Sequence, residues 1–114
     1  MTLRKGLACA LALAVIGTTT AQAQSSAQIS RQFSSAVSRV LHSVRDRTEF
    51  LRELSNSEFN TFVSCAQRVM NDAPMARKRY VLAAGSLSAQ RQRFDEVALD
   101  NRAALKQRIT RECA

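Results

Sequence analysis

Residues 29–54 read ISRQFSSAVSRVLHSVRDRTEFLREL, and the spacing of their apolar side chains decides the fold class. Ile29, Phe33, Val37, Val40, Val44, Leu51 and Leu54 recur at intervals of three, four or seven, which places them on one face of an α-helix. Arg31, Arg39, Asp46, Glu49 and Glu53 fall elsewhere on the wheel. The pattern predicts one long amphipathic helix from about Ala27 to Glu53. Arg47 interrupts the series, so a strict coiled coil is not expected. Ser25 to Ser43 holds seven serines, a composition that weakens the start of the helix, and residues 24–28 are expected to be disordered.

Downstream, Ser55-Asn56-Ser57-Glu58 has the Ser-x-x-Glu spacing of a capping box, flanked by Leu54 and Phe59 as a hydrophobic staple. A second helix therefore starts near Asn56 and buries Phe59, Phe62, Val63, Ala66, Val69 and Met70, with Cys65 inside it. Asn71-Asp72-Ala73-Pro74 ends this helix and opens a third, because proline fits a first helical position but cannot continue a ladder. The third helix is expected over Met75 to Ala84, exposing Arg77-Lys78-Arg79 and ending at Gly85 as a left-handed cap. Ser86 or Ser88 caps a fourth helix through Phe94, Val97 and Ala98, and Asp100 caps a fifth through Leu105 and Ile109 to Cys113. No alternating stretch, Asn-Gly turn or repeat competes with this reading. The fold class is all-α: a small helical bundle with one long N-terminal amphipathic helix, four shorter helices and one disulfide.

Upstream, Arg4 and Lys5, the apolar run Leu7 to Ile16, and Ala21-Gln22-Ala23 follow the plan of a secretory signal peptide cleaved after Ala23. The run is about ten residues, half of what a membrane-spanning helix needs, so no transmembrane segment is expected after cleavage. Residues 1–23 are then a leader and 24–114 one helical domain, periplasmic or secreted from a bacterium. Cys9 leaves with the leader. Cys65 and Cys113 remain as an even pair in an oxidising compartment and are expected to bond. Closing a loop of about 49 residues contributes roughly 4 kcal/mol by loop-closure entropy.

Of 17 Lys and Arg against 9 Asp and Glu in the whole chain, the leader removes two basic residues, so the processed chain carries about six net positive charges. The excess lies toward the C-terminus. Arg77, Lys78, Arg79, Arg91, Arg93, Arg108 and Arg111 are the candidate residues for contact with an anionic surface, with Arg102 and Lys106 beside them. Tryptophan is absent and Tyr80 is the only tyrosine, which discourages base stacking and interfacial anchoring; nucleic acid is not an expected partner.

From Leu54 onward the chain resembles a small family of exported bacterial all-helical domains catalogued only as a domain of unknown function. The residues that carry the resemblance are Leu54-Ser55, Phe59, Phe62 and Ala66, then Ala84-Gly85, Leu87-Ser88, Phe94-Asp95-Glu96-Val97-Ala98, and Leu105 with Ile109, over about residues 54–110. Ser86 and the Cys65/Cys113 pair depart from its pattern. The resemblance implies a helical fold and brings no activity with it.

Chemistry-bearing constellations are scarce. His42 is the single histidine and has no second histidine one turn away, so neither a general base with a partner nor a metal site is expected. Asp95 and Glu96 are adjacent, and adjacent helical residues point in different directions. No Gly-x-Ser-x-Gly or Ser-x-x-Lys frames a serine, and three glycines in the whole chain leave no phosphate-cradling loop. No catalytic residue, cofactor or metal is expected. The reading is a non-enzymatic helical interaction or envelope structural module, partnered by itself or another envelope protein through the long first helix. The alternatives are a cationic module on anionic envelope lipid or polysaccharide, and an acid- or stress-responsive periplasmic chaperone.

Overall fold

A computed structural model describes residues 25–100 and 102–114; the leader expected at residues 1–23 lies outside the described residues. Six α-helices and one 3-10 turn account for the described chain, with no strand among the described residues. α1 runs Ser26–Val44, followed by the 3-10 turn Arg45–Arg47. α2 is the single turn Glu49–Arg52, α3 is Asn56–Met70, α4 is Met75–Leu82, α5 is Leu87–Ala98 and α6 is Leu105–Cys113.

α1 begins earlier and more firmly than its serine content suggests. Ser25 Oγ accepts from the Gln28 amide at 3.1 Å while Gln28 Oε1 accepts from the Ser25 amide at 3.2 Å. That capping box satisfies two otherwise orphaned donors, so residues 26–28 are helical rather than disordered. Ile29, Phe33, Ala36, Val37, Val40 and Leu41 form the buried face of α1. α1 and the 3-10 turn together make the long first helix, 22 residues, and it stops short of Glu53. A straight helix from 27 to 53 would extend about 40 Å at 1.5 Å per residue, well past the 15 residues of α3. The chain turns instead at Thr48, whose backbone is extended. Arg45 Nη2 donates to the Leu54 carbonyl at 3.1 Å and its guanidinium lies 4.3 Å from the centre of the Phe59 ring. The turn folds Leu51 back into the core, where it is buried.

α1 is the central element: it packs on α3, α4 and α5, while α3 holds α6 and α4 lies on α5. Phe33, Val37, Phe59, Val69, Met70, Val81, Val97 and Leu105 are almost completely excluded from water in one continuous core. At about 25 cal/mol per Å² of apolar surface, this burial is the main force that holds short helices together. The Ser55/Glu58 capping box forms as the spacing requires, Ser55 Oγ accepting from the Glu58 amide at 3.1 Å and Glu58 Oε1 from the Ser55 amide at 2.9 Å. Leu54 packs against the core, to which Phe59 belongs.

Three local expectations are corrected. Pro74 is itself the N-cap of α4 rather than its first helical residue. Gly85 does not adopt a left-handed conformation; no glycine among the described residues has positive φ, and α4 ends at Leu82. Asp100 does not cap α6. That position belongs to Ala104, whose φ of 52° and ψ of 34° are left-handed. Asp100 organises the preceding loop instead, its Oδ1 accepting from the Arg102 amide at 3.0 Å and its backbone carbonyl from the amides of Ala103 and Ala104.

Cys65 in α3 and Cys113 at the end of α6 are bonded, with Cα atoms 5.6 Å apart. The bridge clasps the last helix onto the domain.

Candidate anion-binding surface

The basic residues expected to form a C-terminal cationic face are mostly engaged within the fold. Arg77 Nη2 lies 3.3 Å from Asp100 Oδ2. Arg93 donates to the Tyr80 carbonyl at 2.8 Å and rests over the Tyr80 ring at 4.6 Å. Arg108 bridges Asp72 at 2.7 Å and Glu112 at 3.1 Å, and the two carboxylates raise its guanidinium pKa further. Arg79 and Arg111 are exposed and Arg91 is half-buried. These residues do not converge on one site.

Lys78 is the clear departure from expectation: it is 4% exposed, so it cannot serve as a surface contact. It faces inward from α4, and its Nζ donates to Ser30 Oγ of α1 and to Asn71 Oδ1 after α3, each at 3.0 Å. Both acceptors are neutral. Burial pushes the Lys78 ammonium below its ordinary pKa, with an opposing contribution from Asp72. No carboxylate among the described residues makes an ion pair with it.

Above this buried ammonium lies a groove between α1 and α3, lined by Ser30, Arg31, Ser34, Gln67, Arg68 and Asn71. Gln67 Nε2 donates to the Ser34 carbonyl at 2.8 Å and ties the two helices together across it. On the other flank of α1 a second groove is lined by Gln32, Ser35, Arg39, Leu82 and Gln90, with Gln90 itself buried. Ser35 borders both grooves. The ridge between them is the solvent stripe of α1, where Arg31, Ser35 and Arg39 succeed one another at i, i+4 and i+8. α1 contains no acidic residue at all, and neither groove has a carboxylate in its lining.

Half-chain charge totals favour the C-terminal half and so conceal this stripe. The available signal was local: the stretch 25–45 holds three arginines and no acid. Arg31 and Arg39 stand on the side of the wheel away from Phe33, Val37 and Val40.

Elsewhere the geometry is that of fold maintenance. His42 Nδ1 donates to the Ser38 carbonyl at 2.8 Å and its ring meets the Phe59 ring edge-on at 4.9 Å. Tyr80 Oη donates to the Glu96 carboxylate, which raises the phenol's pKa above its ordinary value. Among the described residues no three His, Cys, Asp or Glu side chains gather as a metal site, and no helix is long and apolar enough to cross a membrane.

The fold and this surface define a small disulfide-closed helical domain with a cationic stripe on its central helix. Comparison with family models, curated proteins and solved structures finds no match to this chain.

Proposed function

We propose that this protein is a non-enzymatic binding module of the bacterial cell envelope, exported and oxidised, that engages an anionic polysaccharide through the solvent stripe of α1. The observation that carries this reading is the acid-free run of Arg31, Ser35 and Arg39 between two polar grooves. Export is supported by the leader pattern in residues 1–23 and by the bonded pair Cys65–Cys113. A polysaccharide suits the surface better than a bilayer, because the grooves offer hydroxyls, amides and guanidinium groups and no aromatic wedge.

Docking of a partner onto the apolar face of α1 has less support, since Phe33, Val37, Val40 and Leu41 belong to the chain's own continuous core. The test is retention of the oxidised protein on an immobilised acidic polysaccharide, with acidic liposomes in parallel. The expected result is polysaccharide binding that fades as salt rises past about 0.15 M and falls at least tenfold in the Arg31→Gln/Arg39→Gln variant. Equal retention of that variant, or binding to liposomes alone, would reject the reading.

A further inference from the structure

We infer that the groove between α1 and α3 is a discrete site for one oxyanion, a phosphate, sulfate or carboxylate group, and that Lys78 beneath it sets the polarity of the lining. The inference rests on reading the α1 stripe as the anion-facing surface, and it adds a specific seat for the anionic group.

The argument starts from what an ammonium can do. Lys78 Nζ only donates hydrogen bonds, so both of its partners must accept. Ser30 Oγ, accepting at 3.0 Å, keeps its own O–H for another acceptor. Asn71, with Oδ1 committed to Lys78 at 3.0 Å, has both N–H groups of Nδ2 left to donate. One buried charge thus turns a hydroxyl and an amide, each ordinarily able to present either polarity, into donors. Both residues line the groove.

Arg31 from α1 and Arg68 from α3 stand in the lining on opposite sides, and the planar guanidinium is the side chain best matched to carboxylate and phosphate oxygens. No acidic residue opposes them. Asp72, which follows Asn71 directly, is drawn to Arg108 at 2.7 Å. A lysine serving only to knit α1, α3 and α4 together would be better matched by an aspartate at position 71, which would neutralise it. Asparagine there leaves the ammonium without an ion-pairing carboxylate among the described residues, Asp72 acting on it only at longer range. An anion in the groove would complete the balance, and burial of the ammonium keeps its field from being screened by water.

The experiment is an NMR titration of the isotopically labelled, oxidised protein with sodium phosphate at constant ionic strength, with sulfate and acetate run in parallel. Expected are saturable amide shifts at Ser30, Ser34, Gln67, Arg68 and Asn71, with a dissociation constant on the order of millimolar. Affinity should fall at least tenfold in Asn71→Asp and in Arg68→Gln. Asn71→Asp keeps an acceptor for Lys78, so thermal unfolding should be unimpaired while the amide donors are lost and a negative charge is added. That separates an anion seat from a purely structural contact.

Preference for acetate over phosphate assigns the seat to carboxylates, and the reverse assigns it to phosphate or sulfate. Wild-type affinity in Asn71→Asp, or shifts spread evenly over Arg79, Arg91 and Arg111, would overturn the inference. If no small anion binds while the polysaccharide is still retained through Arg31 and Arg39, this site is rejected and the broader reading stands. If phosphate binds here but the Arg31→Gln/Arg39→Gln variant is retained unchanged, the site stands and the polysaccharide reading falls.

Discussion

Cys113 is bonded to Cys65 across 48 residues of chain, and that bond ties α6 to the middle of α3. α6 has only Leu105 fully buried, with Ile109 and Cys113 partly covered. Its docking therefore depends more on the covalent link than on apolar contact. Replacing both cysteines by serine should lower stability by roughly 4 kcal/mol on loop-closure entropy, a large share of the 5–15 kcal/mol typical of small domains. Urea unfolding measures the total. Hydrogen exchange should show the amides of residues 105–113 losing protection first, and uniform loss across all helices would count against the clasp.

Phe33 is completely buried where α1 meets the rest of the core. Phe33→Ala removes its transfer energy and leaves a cavity, with an expected cost of about 3–5 kcal/mol. Combined with the Cys65/Cys113 double serine variant, the losses should add to leave the chain largely unfolded at room temperature. Far-UV circular dichroism of the two variants, alone and combined, checks this; a folded triple variant would mean that the core has slack that its burial does not reveal.

Much of this architecture is legible in the chain because local signals and tertiary packing agree. The spacing of Ile29, Phe33, Val37 and Val40, the Ser55/Glu58 box and the Ser86 cap each point to the element that forms. The turn at Thr48 is not legible, since Leu51 and Leu54 continue the helical spacing, and only the length of α3 makes a straight continuation unprofitable. The candidate site is harder still. Lys78 sits in the run Arg77-Lys78-Arg79, which looks solvated by composition, and its burial follows from how α4 is rotated against α1. Nothing local to residues 77–79 carries that information.

The Glu58 half of the capping box should leave a pH signature. Its carboxyl is held below the ordinary glutamate value of 4.5, chiefly by the hydrogen bond from the Ser55 amide. A depressed folded-state pKa means that the unfolded chain takes up the proton first, so the contribution is complete above the ordinary value and is lost as pH falls through the lowered one. Glu58→Gln retains a box-forming side chain but cannot titrate. The stability difference between wild type and Glu58→Gln should be constant near neutrality and shrink in acid; a difference independent of pH would show that the carboxylate charge contributes nothing. Ser55→Ala, which removes the other half of the box, should cost about 1 kcal/mol at neutral pH.

Lys78 gives the same direction of pH dependence at the other end of the pH scale, for the opposite reason: folding favours the charged form of Glu58 and disfavours that of Lys78. Burial holds its ammonium below the ordinary value of 10.5. The folded state therefore releases this proton before the unfolded state does, and stability attributable to this residue rises as pH climbs through the folded value. Lys78→Met removes the titration along with the bonds to Ser30 and Asn71. The stability of wild type relative to Lys78→Met should increase from neutral pH toward 10.5. A flat or falling difference in chemical denaturation would mean that the ammonium is as well solvated as in the unfolded chain.

The last prediction concerns where the backbone asks for glycine. By sequence Gly85 looks like a left-handed helix cap, yet the left-handed residue among those described is Ala104, at φ 52°. For an L-residue with a Cβ that conformation costs roughly 1–2 kcal/mol, so Ala104→Gly should relieve it, offset in part by the greater entropy of glycine in the unfolded chain. At Gly85 a Cβ would meet nothing within 4 Å, and φ is not positive. Gly85→Ala should therefore stabilise by about 0.4–1 kcal/mol through the unfolded state alone. Both changes should raise the melting temperature, and their effects should add, because they act on different loops. Destabilisation by Gly85→Ala would restore the left-handed cap at the end of α4. Destabilisation by Ala104→Gly would mean that the loop from Asp100 to Leu105 adopts a conformation in which alanine is unstrained.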